Sequence, residues 1–175
     1  HRGYIDVKSA VGQGTTFTLY LPASGRQVVA CKPEPETVKG SGTVLLVDDE
    51  EVIVEVASGM LKLLNYTVLT ARSGSEALSL FTEQRERIDL VILDMIIPDM
   101  DGAQIFHRLK GIAPEVKVLL ASGYSLKGKA AALLENGCSG FIQKPFNLQA
   151  LSQKLEAILG APSPAAADLA LRNAS

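Results

Sequence analysis

The chain has 175 residues, enough for one domain of ordinary size with a fragment of another beside it. Hydrophobic residues at 47% and charged residues at 21% make a globular composition and exclude wholesale disorder, while a formal net charge of −2 argues against a nucleic-acid binder held by a broad basic surface. Two cysteines, Cys31 and Cys138, are too few for a disulfide framework or a cysteine-rich zinc site, and no apolar run approaches the about 20 residues of a membrane-spanning helix.

The sequence opens on His1 rather than Met and carries no signal-peptide pattern, so it reads as a piece of something longer. In residues 1–22, Tyr4-Ile5-Asp6-Val7 and Thr16-Phe17-Thr18-Leu19-Tyr20-Leu21 are β-prone, with a glycine-rich turn between them, which predicts a hairpin ended by Pro22. A two-stranded hairpin is marginal in water and needs a partner surface. Residues 23–42, with Pro33, Pro35 and no sustained periodicity, read as a linker. From 43 to 160 short apolar runs at 43–47, 66–70, 88–93, 116–121 and 140–143 alternate with helical patterns. Ile53, Val56, Ala57, Met60, Leu61 and Leu64 form one helical stripe, Ser73 and Glu76 have capping-box spacing, and 102–109, 125–134 and 148–159 complete the helices. Five strands and five helices in strict alternation predict an α/β domain, a doubly wound parallel sheet with helices on both faces. Residues 161–175 read as a frayed tail.

In such sheets the site lies beyond the carboxyl ends of the strands. The first run ends in Asp48-Asp49-Glu50, the third in Asp94, the fourth in Ser122-Gly123 and the fifth in Lys144-Pro145-Phe146. Three carboxylates gathered in a partly desolvated cleft repel one another, and a Mg²⁺ ion with oxygen ligands relieves this. A lysine opposite supplies a point charge for phosphate oxygens, a hydroxyl can bond another, and a carboxylate so placed can attack a phosphoryl group. Taken singly, each residue has a plainer reading: Asp48 or Asp49 as a helix N-cap, Asp94 and Ser122 as turn residues, Lys144 as a solvated lysine. Four strand ends acting together, in order and on one edge, weaken those readings.

Four strings, LLVDDEE from Leu45 to Glu51, LDMIIPDMDG from Leu93 to Gly102, LLASGYS from Leu119 to Ser125 and FIQKPF from Phe141 to Phe146, resemble the receiver (response-regulator) domain of two-component phosphorelays. The resemblance implies a flavodoxin-like fold with strand order 2-1-3-4-5, a cis Lys144–Pro145 bond and Mg²⁺ as cofactor. It implies Asp94 as phospho-acceptor, Asp49 as direct metal ligand, Asp48 acting largely through water and the Ile96 carbonyl as a further ligand. It further implies Ser122 and Lys144 on the phosphoryl group, and Ser122 with Phe141 as a switch pair; for Phe141 ordinary core packing is an equal alternative. His107 reads as a surface residue.

Residues 12–22, from Gly12-Gln13-Gly14-Thr15 to Leu21-Pro22, resemble the C-terminal end of a sensor histidine kinase ATP-binding domain, with the rest of that domain absent. A kinase tail, a linker and a receiver in that order imply a hybrid histidine kinase of a bacterial type. The implied reaction transfers a phosphoryl group from the phosphohistidine of the chain's own or a cognate kinase to Asp94, with the receiver promoting its own phosphorylation. A histidine phosphotransfer domain is a further implied partner; no nucleic acid and no membrane contact are expected. The implied location is cytoplasmic, the parent kinase being free to sit in a membrane. Two rivals remain at this point: a non-phosphorylated docking module of the parent kinase, and a Mg²⁺-dependent phosphatase. The phosphatase usually wants a second acid two residues after the nucleophile, where this sequence has Ile96.

Overall fold

The computed structural model describes residues 2–23, 37–123 and 129–160. The chain divides into two units, His1–Glu34 and Pro35–Ser175. In the first, β1 (Tyr4–Ala10) and β2 (Gly14–Tyr20) form an antiparallel hairpin with Tyr4 opposite Tyr20 and Val7 opposite Phe17. Gly12 and Gly14 have φ of 77° and 83°, a conformation that costs glycine nothing and makes the turn. Ile5, Val7, Phe17 and Leu19 share one face by their pairing, and each is at least half exposed.

The second unit contains β3 (Thr43–Val47), α1 (Glu51–Leu63), β4 (Thr67–Ala71), α2 (Gly74–Gln84), a 3₁₀ turn (Arg85–Arg87), β5 (Leu90–Asp94), α3 (Gly102–Ile112), β6 (Val118–Ser122), α4 (Lys129–Glu135), β7 (Gly140–Gln143) and α5 (Leu148–Leu159). Its sheet is parallel, as the alternation predicts, in the order β4-β3-β5-β6-β7, which is 2-1-3-4-5 within the domain: the flavodoxin-like fold that the resemblance implies. β5 and β6 are buried along their whole length because helices cover both faces. The pleat divides the strand residues between two cores. Leu45, Val47, Val91, Leu93, Val118 and Leu120 pack with Phe81 of α2, Phe106 and Leu109 of α3 and Leu133 of α4. Val44, Leu46, Leu90, Ile92 and Leu119 pack with Leu61 of α1 and with Leu151 and Leu155 of α5.

Several expectations shift, the second strand by one residue, from 66–70 to Thr67–Ala71. The strands beginning at 88 and 116 in the sequence reading start instead at Leu90 and Val118. Ile88 is buried but still belongs to the turn, its N–H donating to Arg85 O, and the polar Asp89 exchanges two bonds with Thr43 before the ladder proper begins. On α1 the buried residues are Val54, Ala57, Ser58 and Leu61, not the full stripe through Ile53, Val56 and Met60. The helix is apolar on more than one face, so periodicity alone does not choose: Val52, Val56 and Leu63 are 69%, 52% and 68% exposed.

Residues 24–36 of the linker and the tail 161–175 lie outside the described residues. The end of the linker is bound to the domain. Ser152 Oγ accepts from Val38 N–H at 3.0 Å, Gly40 N–H donates to Leu64 O and Asn65 Nδ2 donates to Gly40 O. A Cβ at Gly40 would lie 1.9 Å from the Tyr66 hydroxyl oxygen, so only glycine fits there.

Candidate functional site

The carboxyl edge of the sheet carries a cleft of about 510 Å³ lined by Asp49, Glu50, Ile53, Asp94, Ile96, Gly123, Lys144 and Pro145. Asp48, Asp49 and Asp94 each offer an oxygen within 4.8 Å of the others. Asp48 and Asp49 follow β3, and Asp94 is the last residue of β5, still opposite Ala121 in the ladder. Parallel neighbours in register deliver these side chains to one edge by construction.

Asp48 is buried. Its Oδ1 accepts from Glu50 N–H at 3.1 Å and its Oδ2 accepts from Lys144 Nζ. Asp94 Oδ1 accepts from Met95 N–H at 2.8 Å and lies 3.2 Å from Lys144 Nζ. Burial raises the Asp94 carboxyl above its usual 3.8; the Lys144 ammonium pulls it back and the Asp48 carboxylate adds to the rise. Burial works against the Lys144 charge, but its bond to Asp48 and the field of Asp94 win and hold it above 10.5. Lys144 pairs with Asp48 and Asp94, and its single charge does not offset those of three gathered carboxylates, which suits the site to a divalent cation with oxygen ligands.

Lys144 is fixed from its backbone, its N–H donating to Ser122 O at 2.8 Å, and the Lys144–Pro145 peptide is cis. Ser122 ends β6, buried, at the same edge. Ile96 is 60% exposed on the cleft wall. Phe141 does not line the cleft: it sits in β7 opposite Leu120, 8% exposed in the core with α2, α3 and α4. His107 is exposed on α3, edge-on to Phe106. Tyr124, which the family resemblance places with Ile96 beside the phosphoryl position, lies outside the described residues.

Sequence reasoning missed Asp99. It gives Asp99 no role, whereas its carboxylate accepts from Gly74 N–H at 2.8 Å and from Ser75 N–H at 3.0 Å, at the start of α2. Those two amides lower its carboxyl below 3.8. Asp101, in the same loop, caps its own helix by accepting from Ala103 N–H. The spacing Asp-x-Asp-Gly before α3 signals the second cap and gives no hint of the first.

A second, smaller cleft of about 100 Å³ adjoins this one and shares Ile53, Lys144 and Pro145 with it; Val56, Ala57, Met60 and Phe146 complete its lining.

Comparison with known proteins gives a consistent result. The family described as response regulator receiver domain matches residues 44–156. The sensor kinase CckA of Brucella abortus is 35% identical over 167 residues, which cover 90% of this chain and 18% of that protein. The probable transcriptional regulatory protein TcrX of Mycobacterium tuberculosis is 35% identical over 117 residues, covering 67% of this chain and 49% of that protein. The chain thus spans less than half the length of these curated relatives. Among solved structures, a receiver domain protein of Clostridium thermocellum superimposes with a TM-score of 0.64 at 33% identity, covering 67% of this chain and 94% of the other. The receiver domain of the hybrid histidine kinase CckA gives 0.58 at 31%, covering 67% and 99%.

Proposed function

This chain belongs to the response regulator receiver family of two-component signalling, and on that premise we propose that Asp94 accepts a phosphoryl group from a phosphohistidine in a Mg²⁺-dependent reaction. One observation carries the reading: Asp48, Asp49 and Asp94 within 4.8 Å, with Lys144 on two of them. In the reaction, a carboxylate oxygen of Asp94 forms a bond to phosphorus while the phosphorus–nitrogen bond breaks. The bonding pair returns to the imidazole, which takes a proton from solvent. Asp49, open to solvent, and Asp94 would hold Mg²⁺ with the Ile96 carbonyl, and Asp48, both of whose oxygens already accept bonds, would act through water. The ion supplies neutralisation of the phosphoryl oxygens when bound. Lys144 brings a fixed positive charge to those oxygens, and the Ser122 hydroxyl contributes a donor. Ser122 and Phe141 would then carry the change to the neighbouring loops.

The test is direct. The chain is incubated with Mg²⁺ and a small acyl or amido phosphate, and intact mass reads one added phosphoryl group. No adduct at saturating donor overturns the proposal and leaves the docking-module reading. Release of phosphate from a generic phosphomonoester, with turnover, would instead favour a phosphatase.

We place this receiver in a hybrid histidine kinase at the cytoplasmic side. Support comes from the sensor kinase alignment, which extends over 90% of this chain where the regulator alignment stops at 67%, and so reaches outside the receiver. Residues 1–22 as the end of a kinase ATP-binding domain fit that order. The output would be relay to a histidine phosphotransfer domain or feedback on the kinase.

The exposed apolar side chains of α1 offer a place for the donor. Val52 and Val56 stand one turn apart on the helix that opens beside the acidic cleft, and the small cleft lined by Val56 shares Ile53 and Pro145 with it. The phosphohistidine-bearing helix would pack here. Val56→Glu should slow transfer from a phosphohistidine protein by about tenfold, equivalent to about 1.4 kcal/mol. Reaction with a small phosphate donor should be unchanged. An equal loss with both donors means that α1 does not dock the partner.

Ile96 bears on the lifetime of the product. An exposed apolar side chain on the cleft wall hinders an in-line water. Ile96→Asn, which can hydrogen-bond such a water, should shorten the phosphoryl lifetime severalfold in a mass-spectrometric decay course. An unchanged lifetime refutes this role.

A further inference from the structure

The loop that leaves the phospho-acceptor is held at both ends and in the middle. Met95 N–H donates to Ala121 O at 3.2 Å, and Gly102 N–H donates back to Met95 O at 3.3 Å, closing the loop upon itself. A Cβ at Gly102 would lie 2.8 Å from both Asp94 O and Met95 Cα, so the closure depends on glycine. Between these points the Asp99 carboxylate anchors the loop to another element, taking Gly74 N–H, Ser75 N–H and the Ser75 hydroxyl at 2.8, 3.0 and 3.1 Å.

Helix α2 does not need Asp99 in order to end properly on its own account. Ser73 Oγ accepts from Glu76 N–H at 3.1 Å, and the Glu76 carboxylate accepts from Arg72 N–H at 2.7 Å. This local cap would leave Gly74 and Ser75 N–H to solvent, as is usual for first-turn amides. Their use by a carboxylate 24 and 25 residues further along the chain ties the loop down. The same turn reaches the other acidic loop as well, because Arg72 pairs with Glu51 at 2.7 Å, in the first turn of α1 beside Asp48 and Asp49. The two loops that carry the acidic residues are thus joined through residues 72–75.

We propose that Asp99 is a positioning residue of the metal half-site: by gripping the start of α2 it fixes the 95–101 loop, and with it the Ile96 carbonyl, at the distance from Asp94 that cation binding requires. This rests on the reading of Asp49, Asp94 and Ile96 as the Mg²⁺ ligands. Outer-shell groups of this kind typically govern metal affinity by about 10- to 100-fold. The coupling is reciprocal, so a bound cation must steady the Asp99 grip as much as the grip favours the cation.

Calorimetric titration of the whole chain with Mg²⁺ alone provides the test, since the chain has no tryptophan to report binding. Asp99→Ala should weaken Mg²⁺ binding about tenfold, and Asp99→Asn, whose amide oxygen still accepts an N–H, should recover part of the loss. Ser73→Ala removes the local cap of the same helix without touching the loop, and should leave the affinity within about twofold. In the unmodified chain, Mg²⁺ should slow hydrogen exchange at the Gly74 and Ser75 amides. Equal effects of Asp99→Ala and Ser73→Ala, or an unchanged affinity in Asp99→Ala, overturn the proposal. If the alanine variant does not fold, exchange decides: no change at Gly74 and Ser75 on adding Mg²⁺ overturns it. A chain that binds no Mg²⁺ at all instead removes the underlying metal reading, and this inference with it.

Discussion

Asp94→Asn should abolish phosphoryl acceptance and at the same time raise the thermal stability of the metal-free chain. The two effects have one cause. Asp94 lies 7% exposed, within 4.8 Å of two other carboxylates, and burial is the largest influence raising its carboxyl above 3.8. A raised carboxyl means that the folded chain prefers the neutral form, with the attraction of Lys144 already included. Asparagine is that neutral form in nearly the same volume, and its amide oxygen can still accept from Met95 N–H. Each kcal/mol gained raises Tm by about 4 °C in a domain of this size. The pH dependence follows with a definite sign. From pH 3.8 up to its folded value, folded Asp94 retains a proton that the unfolded chain has lost, so this residue makes stability fall as pH rises through that window. The difference between wild type and Asp94→Asn should therefore grow across the window and level off above it. Adding Mg²⁺ should narrow the difference, because the ion offsets the negative charge of the three carboxylates that Lys144 alone does not balance. Thermal denaturation with and without Mg²⁺, alongside intact mass, checks all of this. An adduct that survives the substitution, or a variant less stable than wild type without metal, contradicts the assignment of Asp94.

How much of this was legible depended on how far apart in the chain the interacting residues lie. Strands β3 and β7 have the bounds that their apolar runs predict, because each run begins where its ladder begins. β5 starts two residues late, because Ile88 is apolar for the sake of the core while the 3₁₀ turn still holds it. The acidic edge could be read from the residues after each run, since parallel strands in register send those side chains to one place. The Ser73–Glu76 cap was equally local, although Glu76 turns to Arg72 N–H rather than to Ser73. Asp99 could not be read at all. Its partners Gly74 and Ser75 lie on another element, and only the folded sheet brings that element alongside. The buried face of α1 was ambiguous for a different reason. A helix that is apolar on more than one side shows two stripes, and periodicity does not say which of them is buried.

Lys144→Ala should lower both stability and reactivity, the opposite pairing to that of Asp94→Asn. The ammonium lies between Asp48 Oδ2 and Asp94 Oδ1, its side chain 14% exposed and both carboxylates buried. Removing it leaves two buried anions with one backbone N–H each, from Glu50 and Met95. Breaking a buried pair of this kind costs about 3–5 kcal/mol, and a proton taken up by Asp94 holds the loss to about 2–3 kcal/mol here. A divalent cation answers the same excess of charge, so the stability of the variant should rise more steeply with Mg²⁺ than that of wild type. Mg²⁺ should restore the fold without restoring the chemistry: at saturating ion, transfer from a small phosphate donor should remain about a hundredfold slow, because the phosphoryl oxygens have lost a preorganised charge. Lys144→Arg separates the two roles. It keeps the charge and much of the stability, yet its planar fork cannot occupy the place of a compact ammonium between two carboxylates, so the rate stays low. The alkaline limb gives an independent check. With Lys144 held above 10.5, its contribution is fully present below that pH and is lost as pH rises through the folded value, a loss that Lys144→Ala should not show. If Lys144→Ala is as stable as wild type without Mg²⁺, the three carboxylates do not repel one another as their spacing demands, and the electrostatic basis of the site fails.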